Sequence, residues 1–131
     1  MKQIYERNGI LDMNMVLEKI RDNMHIKKDP YRIDFFGDAG IISLDVASSR
    51  LRTFAAQEPV CCNCGIKAKY FAIERPVTRN DGSNQYHLNL YGIDSAGNEV
   101  VFCRVLKKSR KDGGDESSEN SNIMCEKCHK G

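Results

Sequence analysis

Cys61 and Cys64 make one Cys-x-x-Cys pair and Cys125 and Cys128 make another, in a chain of 131 residues. Each pair offers two thiolates from one tight turn. Two such pairs supply the four soft ligands of a tetrahedral zinc site that joins segments far apart in sequence. Gly65 follows Cys64 directly, as suits a knuckle whose backbone turns sharply behind the metal. Disulfides are the competing reading. They need an oxidising compartment, and the opening MKQIYERNGI carries no apolar signal stretch, so the expectation is a cytoplasmic protein with reduced thiols. The ligand set read from the spacing is Cys61, Cys64, Cys125 and Cys128 around a structural Zn²⁺. Cys62 lies inside the first knuckle and competes with Cys61, which is preferred because its distance to Cys64 matches the second pair. Cys103 sits in an apolar run and reads as a buried thiol.

Those ligands need elements to hold them. Residues 11–24, LDMNMVLEKIRDNM, predict a helix: Met13, Val16, Leu17, Ile20 and Met24 recur at helical spacing and Asp12 can cap the start. Residues 25–30, with Asp29-Pro30, read as a connection. YRIDFF and IISLDV flank Gly37-Asp38-Ala39-Gly40 and predict a hairpin. Residues 48–57 predict a short helix capped by Ser48 or Ser49, with Leu51, Phe54 and Ala55 inward, delivering the chain to the first knuckle. KYFAIERPV is a predicted strand ended by Pro76, and residues 78–84 a polar turn. YHLNLYGID and EVVFCRVL, separated by Ser95-Ala96-Gly97-Asn98, form the clearest hairpin. A polar loop, KKSRKDGGDESSEN, follows, and NSNIMCEKCHKG reads as a short final helix or turn holding the second knuckle. The class expected is α+β.

The net charge of +2 says little by itself, but its distribution says more. Arg104, Lys107, Lys108, Arg110 and Lys111 crowd one segment, and Asp112, Asp115, Glu116 and Glu119 follow at once. The ordinary reading of such a run is a solvated loop. Beside a metal site, Arg104, Lys107, Lys108 and Arg110 become candidate nucleic-acid contacts, because Arg and Lys grip phosphate without regard to base sequence. Tyr86 and Tyr91 offer stacking surfaces, with core packing the competing job for at least one of them. No apolar run is long enough to span a bilayer, so no membrane partner is expected.

Taken together, CCNCGIKAKYFAIER, YHLNLYGIDSAGNEVVF, KKSRKDGG and ENSNIMCEKCHKG resemble the HNH endonuclease family, in its phage-type branch with a four-cysteine zinc support. The resemblance covers residues 61–131 and, loosely, 31–60. It implies a small zinc-stabilised HNH-like ββα domain over residues 61–131, with residues 1–60 as an N-terminal helix and β-hairpin extension. In the family, a hairpin and a helix hold one divalent ion against the scissile phosphate. A His activates water, the Asp before it and a last His or Asn bind the ion, and a middle Asn orients the base.

Carried over residue by residue, the Asp-His pair falls on Cys103-Arg104, the middle Asn on Asn120 and the last position on His129. The loop keeps Lys108 and Ser109 but has Lys107 where the family has Pro. Arginine stays protonated and cannot serve as a base, and Mg²⁺ prefers oxygen to sulfur. His87, on the opposite strand of the hairpin and expected somewhat beyond the level of Cys103 and Arg104, is the remaining candidate base, although a lone strand histidine is more often a packing or surface residue. The resemblance thus implies a catalytically inactive, zinc-binding protein that acts by binding nucleic acid, DNA rather than RNA, with Asn120, His129 and His87 vestigial. Two alternatives stay open: an inhibitor or adaptor of a host protein, with the N-terminal block as its surface, and an active nuclease with a relocated base, the one case that calls for Mg²⁺. If the chain is phage-encoded, the expected cytoplasm is that of the host cell.

Overall fold

The computed structural model describes residues 5–28, 30–77, 85–114 and 120–130. Strand β1 (Tyr5–Asp12) runs into helix α1 (Met13–Asn23), and the hairpin β2 (Arg32–Gly37) and β3 (Gly40–Asp45) leads to helix α2 (Ser49–Ala56). Strands β4 (Ala68–Pro76), β5 (His87–Ile93) and β6 (Glu99–Leu106) follow, then a 3-10 turn (Arg110–Asp112), strand β7 (Ser121–Cys125) and helix α3 (Glu126–Lys130). A five-stranded sheet has the order β1-β4-β5-β6-β7, with antiparallel neighbours throughout, and β2-β3 stands apart as a two-stranded sheet. This is a small α+β fold.

Local chemistry sets both longer helices. The Asp12 carboxylate accepts the Met15 N–H at 2.9 Å, and the Ser48 hydroxyl accepts the Leu51 N–H at 3.2 Å; each cap satisfies a donor that the first turn leaves free. α1 turns Val16, Leu17 and Ile20 inward, and α2 turns Leu51 and Phe54 inward. These residues meet Phe71, Ile73, Leu88, Leu90, Val100 and Phe102 from one face of the sheet. Phe54 and Phe71 pack with ring centroids 6.4 Å apart, and each such buried ring is worth about 2 kcal/mol in apolar area removed from water.

Two strands stand where the sequence reading had none. Leu11, expected in the first helix, belongs instead to β1, which ends at Asp12, the expected cap, and Arg7 and Leu11 pair with Glu74 and Phe71 of β4. Residues on both sides of position 60 therefore share one sheet and one core. The second knuckle is reached through β7, not through a turn: Ser121 to Cys125 pair with Leu106 to Phe102. A strand thus stands between the β5–β6 hairpin and the short helix that follows it.

The course of β6 shapes the rest of the molecule. Its first residues, Glu99 to Val101, pair with β5, whereas Phe102 to Leu106 pair with β7. Beyond Val101 the two strands of the hairpin part company, and a fork opens between β5 and β6.

Candidate metal centre and the adjoining fork

The first knuckle is built by its own backbone. The Cys61 N–H donates to the Ile66 carbonyl at 2.9 Å, and the Gly65 N–H to the Cys61 carbonyl at 3.1 Å. Gly65 has φ +80°, which the reversal demands and a side chain resists. The N–H groups of Asn63 and Cys64 point at the Cys61 sulfur from 3.4 and 3.5 Å. The Cys62 N–H donates to the Ile123 carbonyl at 2.9 Å, which fastens the knuckle to β7 and so to the second pair.

The sulfurs of Cys61, Cys64, Cys125 and Cys128 all lie within 4.8 Å of one another. Those of Cys64 and Cys125 are 3.7 Å apart. A metal–thiolate bond of about 2.3 Å sets a tetrahedral edge of about 3.8 Å, whereas a disulfide requires about 2.05 Å. The cluster therefore fits a metal ion such as zinc, and all six cysteines are unbridged. Cys62 is exposed and outside the cluster. Burial would push the Cys61 thiol up, but the N–H groups of Cys64, Cys125 and Asn63 outweigh it and bring it down to about 6. Burial pushes Cys125 up to about 12. Cys64, which the Ile66 N–H alone would lower, is held up by the neighbouring sulfurs. A cation is what would draw the protons from these last two.

α3 is tied to the hairpin from outside the cluster. The Lys127 ammonium donates to the Asp94 carboxylate, whose other oxygen accepts the N–H groups of Ala96 and Asn98 at 2.9 Å each. The β5–β6 turn, the second knuckle and the cluster are thus one connected piece.

The second feature is the fork. It encloses a cleft of about 440 Å³ whose walls include Tyr5, Arg50, Glu74, His87, Cys103 and Arg104. Arg50 reaches it from α2 and donates to the Leu88 carbonyl at 2.6 Å, with its guanidinium 5.6 Å over the Phe54 ring. Among the described residues Arg50 has no carboxylate partner. Burial pulls its pKa down, partly offset by Cys103 and Tyr5. Burial and the Arg50 cation push the His87 imidazole below its ordinary 6.5. Burial pushes the Cys103 thiol up. The chain matches no known protein family, curated protein or solved structure.

The sequence-predicted residues scatter around these two features. Cys103, Arg104 and His87 share the fork. His87 stands on β5 and Cys103 and Arg104 on β6, all beyond Tyr91–Val101, the last pair of the hairpin ladder. Asn120 holds backbone: its side-chain carbonyl accepts the Lys108 N–H at 3.1 Å and its amide donates to the Lys108 carbonyl at 3.0 Å. Gly114 lies so close under that loop that a Cβ would stand 1.9 Å from the Lys108 oxygen. Lys107 and Lys108 are exposed, and Arg110 opens the 3-10 turn. His129 is exposed on α3 and lines neither the fork nor the groove of about 370 Å³ between the hairpin and α3. Asp115, Glu116 and Glu119 lie outside the described residues. Tyr86 and Tyr91 are already in use, with Arg75 4.8 Å over one ring and Arg7 5.0 Å over the other.

Sequence reasoning passed over Glu74 and Arg50. Glu74 is 3% exposed and accepts from Arg7 at 2.8 Å, Asn89 at 2.8 Å and Tyr91 at 2.6 Å. Arg7 also holds Glu99 with both terminal nitrogens, at 2.8 and 3.2 Å. A lone acid inside the apolar strand KYFAIERP was the available signal. No helix among the described residues is long and apolar enough to cross a membrane.

Proposed function

We propose that this chain is a zinc-stapled module of the HNH-endonuclease type that has lost hydrolysis and binds the phosphate backbone of nucleic acid, DNA in preference to RNA. The observation that carries this reading is the lining of the fork. Where the resemblance calls for a carboxylate and a general base, the wall offers Cys103 and Arg104, with Arg50 behind them. A wall of this kind attracts an anion. Among the described residues it has no acidic group free to hold a hard cation, because Glu74 is already bound to Arg7, Asn89 and Tyr91. β6 leads from Arg104 straight to Lys107 and Lys108, which extend the cationic track into solvent.

In this reading Cys61, Cys64, Cys125 and Cys128 hold Zn²⁺, which supplies cross-linking and no turnover. Arg104 and the two lysines meet phosphates, and Asn120 fixes the lysine-bearing loop. Fluorescence anisotropy with labelled duplex DNA across a salt series tests it. Binding should fall steeply with salt, and K107E/K108E should lower the slope of log affinity against log salt by about two units, one for each phosphate no longer neutralised. An unchanged slope in the double variant, or no binding at low salt, would sink the reading.

One observation favours a second reading. His87 lines the same cleft, and burial and the Arg50 cation lower its pKa, which favours the neutral imidazole that a general base needs. Plasmid nicking with Mg²⁺ that disappears in H87A would establish a nuclease with a relocated base.

A further inference from the structure

Helix α3 carries a ligand without a core of its own. It has five residues, none of them buried, and so short a helix is not stable by itself. Yet Cys128, on this helix, stands within reach of the other three sulfurs. Those three are held by other means. Cys61 and Cys64 belong to a turn closed by backbone hydrogen bonds, and the Cys62 N–H fastens that turn to β7. Cys125 is buried and pairs with Phe102 in the β6–β7 ladder. Among the described residues α3 makes one ion pair with the rest of the fold, from Lys127 to Asp94. The anchor end of that pair is fixed in advance. The Asp94 side chain is 6% exposed; one oxygen accepts the N–H groups of Ala96 and Asn98 at 2.9 Å each, and the spare oxygen takes Lys127. The Gly97 N–H closes the same turn on the Asp94 carbonyl at 3.0 Å.

We infer that the Asp94–Lys127 pair is the latch on the metal centre: it holds α3, and with it Cys128, against the other three ligands, so that Cys128 is the first ligand to let go when metal is exchanged. The latch presupposes a metal ion on the four cysteines and nothing about nucleic acid. Asp94 and Lys127 are positioning residues in this role, since neither belongs to the thiol cluster. Lys127 directly precedes Cys128, inside the second knuckle. Opening the pair therefore frees the backbone that carries the fourth sulfur, while β7 keeps Cys125 where it is. With Cys128 withdrawn, three sulfurs remain and the fourth position is open to a competing ligand. The two ends of the pair sit in different surroundings. The Lys127 side chain is 60% exposed, so water and salt compete for its ammonium. Asp94 lies out of water and has no other cation among the described residues, so leaving it alone is unfavourable. The pair is thus shut at rest and within reach of the solvent that opens it.

The test follows zinc leaving the loaded full chain into an excess of chromogenic chelator. Asp94→Asn keeps an oxygen for the Ala96 and Asn98 N–H groups and removes the charge, and Lys127→Met removes the cation at similar length. Each should release zinc about tenfold faster than the unmodified protein, and Lys127→Arg, which restores a cation, should recover most of the difference. Release from the unmodified protein should quicken with added sodium chloride, and release from Lys127→Met should not. With Co²⁺ in place of zinc, the visible absorption of a four-thiolate site should be the same in every variant, which a general loss of structure would not permit. A further arm needs no variant. During slow extraction from the unmodified protein in the presence of N-ethylmaleimide, mass spectrometry should find Cys128 labelled first among the ligands, after the exposed Cys62. Unchanged release from Asp94→Asn and Lys127→Met overturns the latch, and labelling of Cys64 ahead of Cys128 overturns the order of detachment. A chain that takes up neither zinc nor cobalt overturns the metal centre itself and the latch with it.

Discussion

The metal centre and the fork both adjoin the β5–β6 hairpin and are built in opposite ways. In the metal centre the ligands come as paired cysteines, the sulfurs of Cys61, Cys64 and Cys125 each receive a backbone N–H from their own turn, and one ion would complete the set. In the fork the lining groups come from β1, α2, β4, β5 and β6, and nothing local prepares them for one another. The first is a joint and the second an opening. Groups that must agree closely in position are supplied by short stretches of backbone, whereas an open cleft is assembled from the ends of whole elements.

The largest effect should come from breaking the joint. Cys125→Ser should remove zinc and abolish the near-UV and NMR signatures of a packed core, because a structural zinc supplies about 10–16 kcal/mol of apparent binding free energy that is also folding free energy. Cys62→Ser should leave metal content and fold intact, and a loss of zinc there would overturn the ligand set. Acid should act as a milder break of the same kind. Since Cys64 and Cys125 both sit above their ordinary thiol values, both protons must leave before the ion binds. Apparent zinc affinity should then fall by at least about a hundredfold for each unit that pH drops, as competition with a colorimetric chelator would read. A flat profile would mean that the thiolates are preformed.

The joint was legible in the sequence because its geometry is local. Two Cys-x-x-Cys pairs, a glycine after one of them, and the capping residues Asp12 and Ser48 each declare themselves within a few positions. The fork was not. Tyr5, Glu74 and Arg50 acquire their meaning from β1 pairing with β4 and from α2 lying under the sheet, and YERNGILD has neither the apolar alternation nor the β-branched content of an independent strand. It is a strand because β4 offers it an edge. β7 was missed for a similar reason, since SNIMC is short and its pairing depends on where β6 goes after it leaves β5.

A middle-sized effect should come from the wall of the fork. Glu74→Ala leaves Arg7 with Glu99 alone and strips acceptors from Asn89 and Tyr91, and should cost about 2–3 kcal/mol in urea unfolding, less than a fully buried pair because Arg7 is partly in water. Zinc content should be unchanged, which would separate fork from joint. If Glu74→Ala also released zinc, the two regions would not be independent. The smallest effect belongs to the lysine loop. Asn120→Ala removes two hydrogen bonds to the Lys108 backbone and should cost about 1–2 kcal/mol, seen more clearly as faster amide exchange over residues 107–114 than in the unfolding midpoint.

The joint also imposes an order on folding. Cys64 and Cys125 are separated by sixty-one positions, and tying such a span takes about 4 kcal/mol of freedom from the disordered chain. β1, although first in sequence, waits for a partner strand that begins at Ala68, and the knuckle beginning at Cys61 waits for one that ends near residue 128. More than half of the contacts are long-range, which predicts slow folding for a chain of this size. Metal supplied late should appear as the step that commits the chain, converting a loose set of hairpins into a closed loop in a single event.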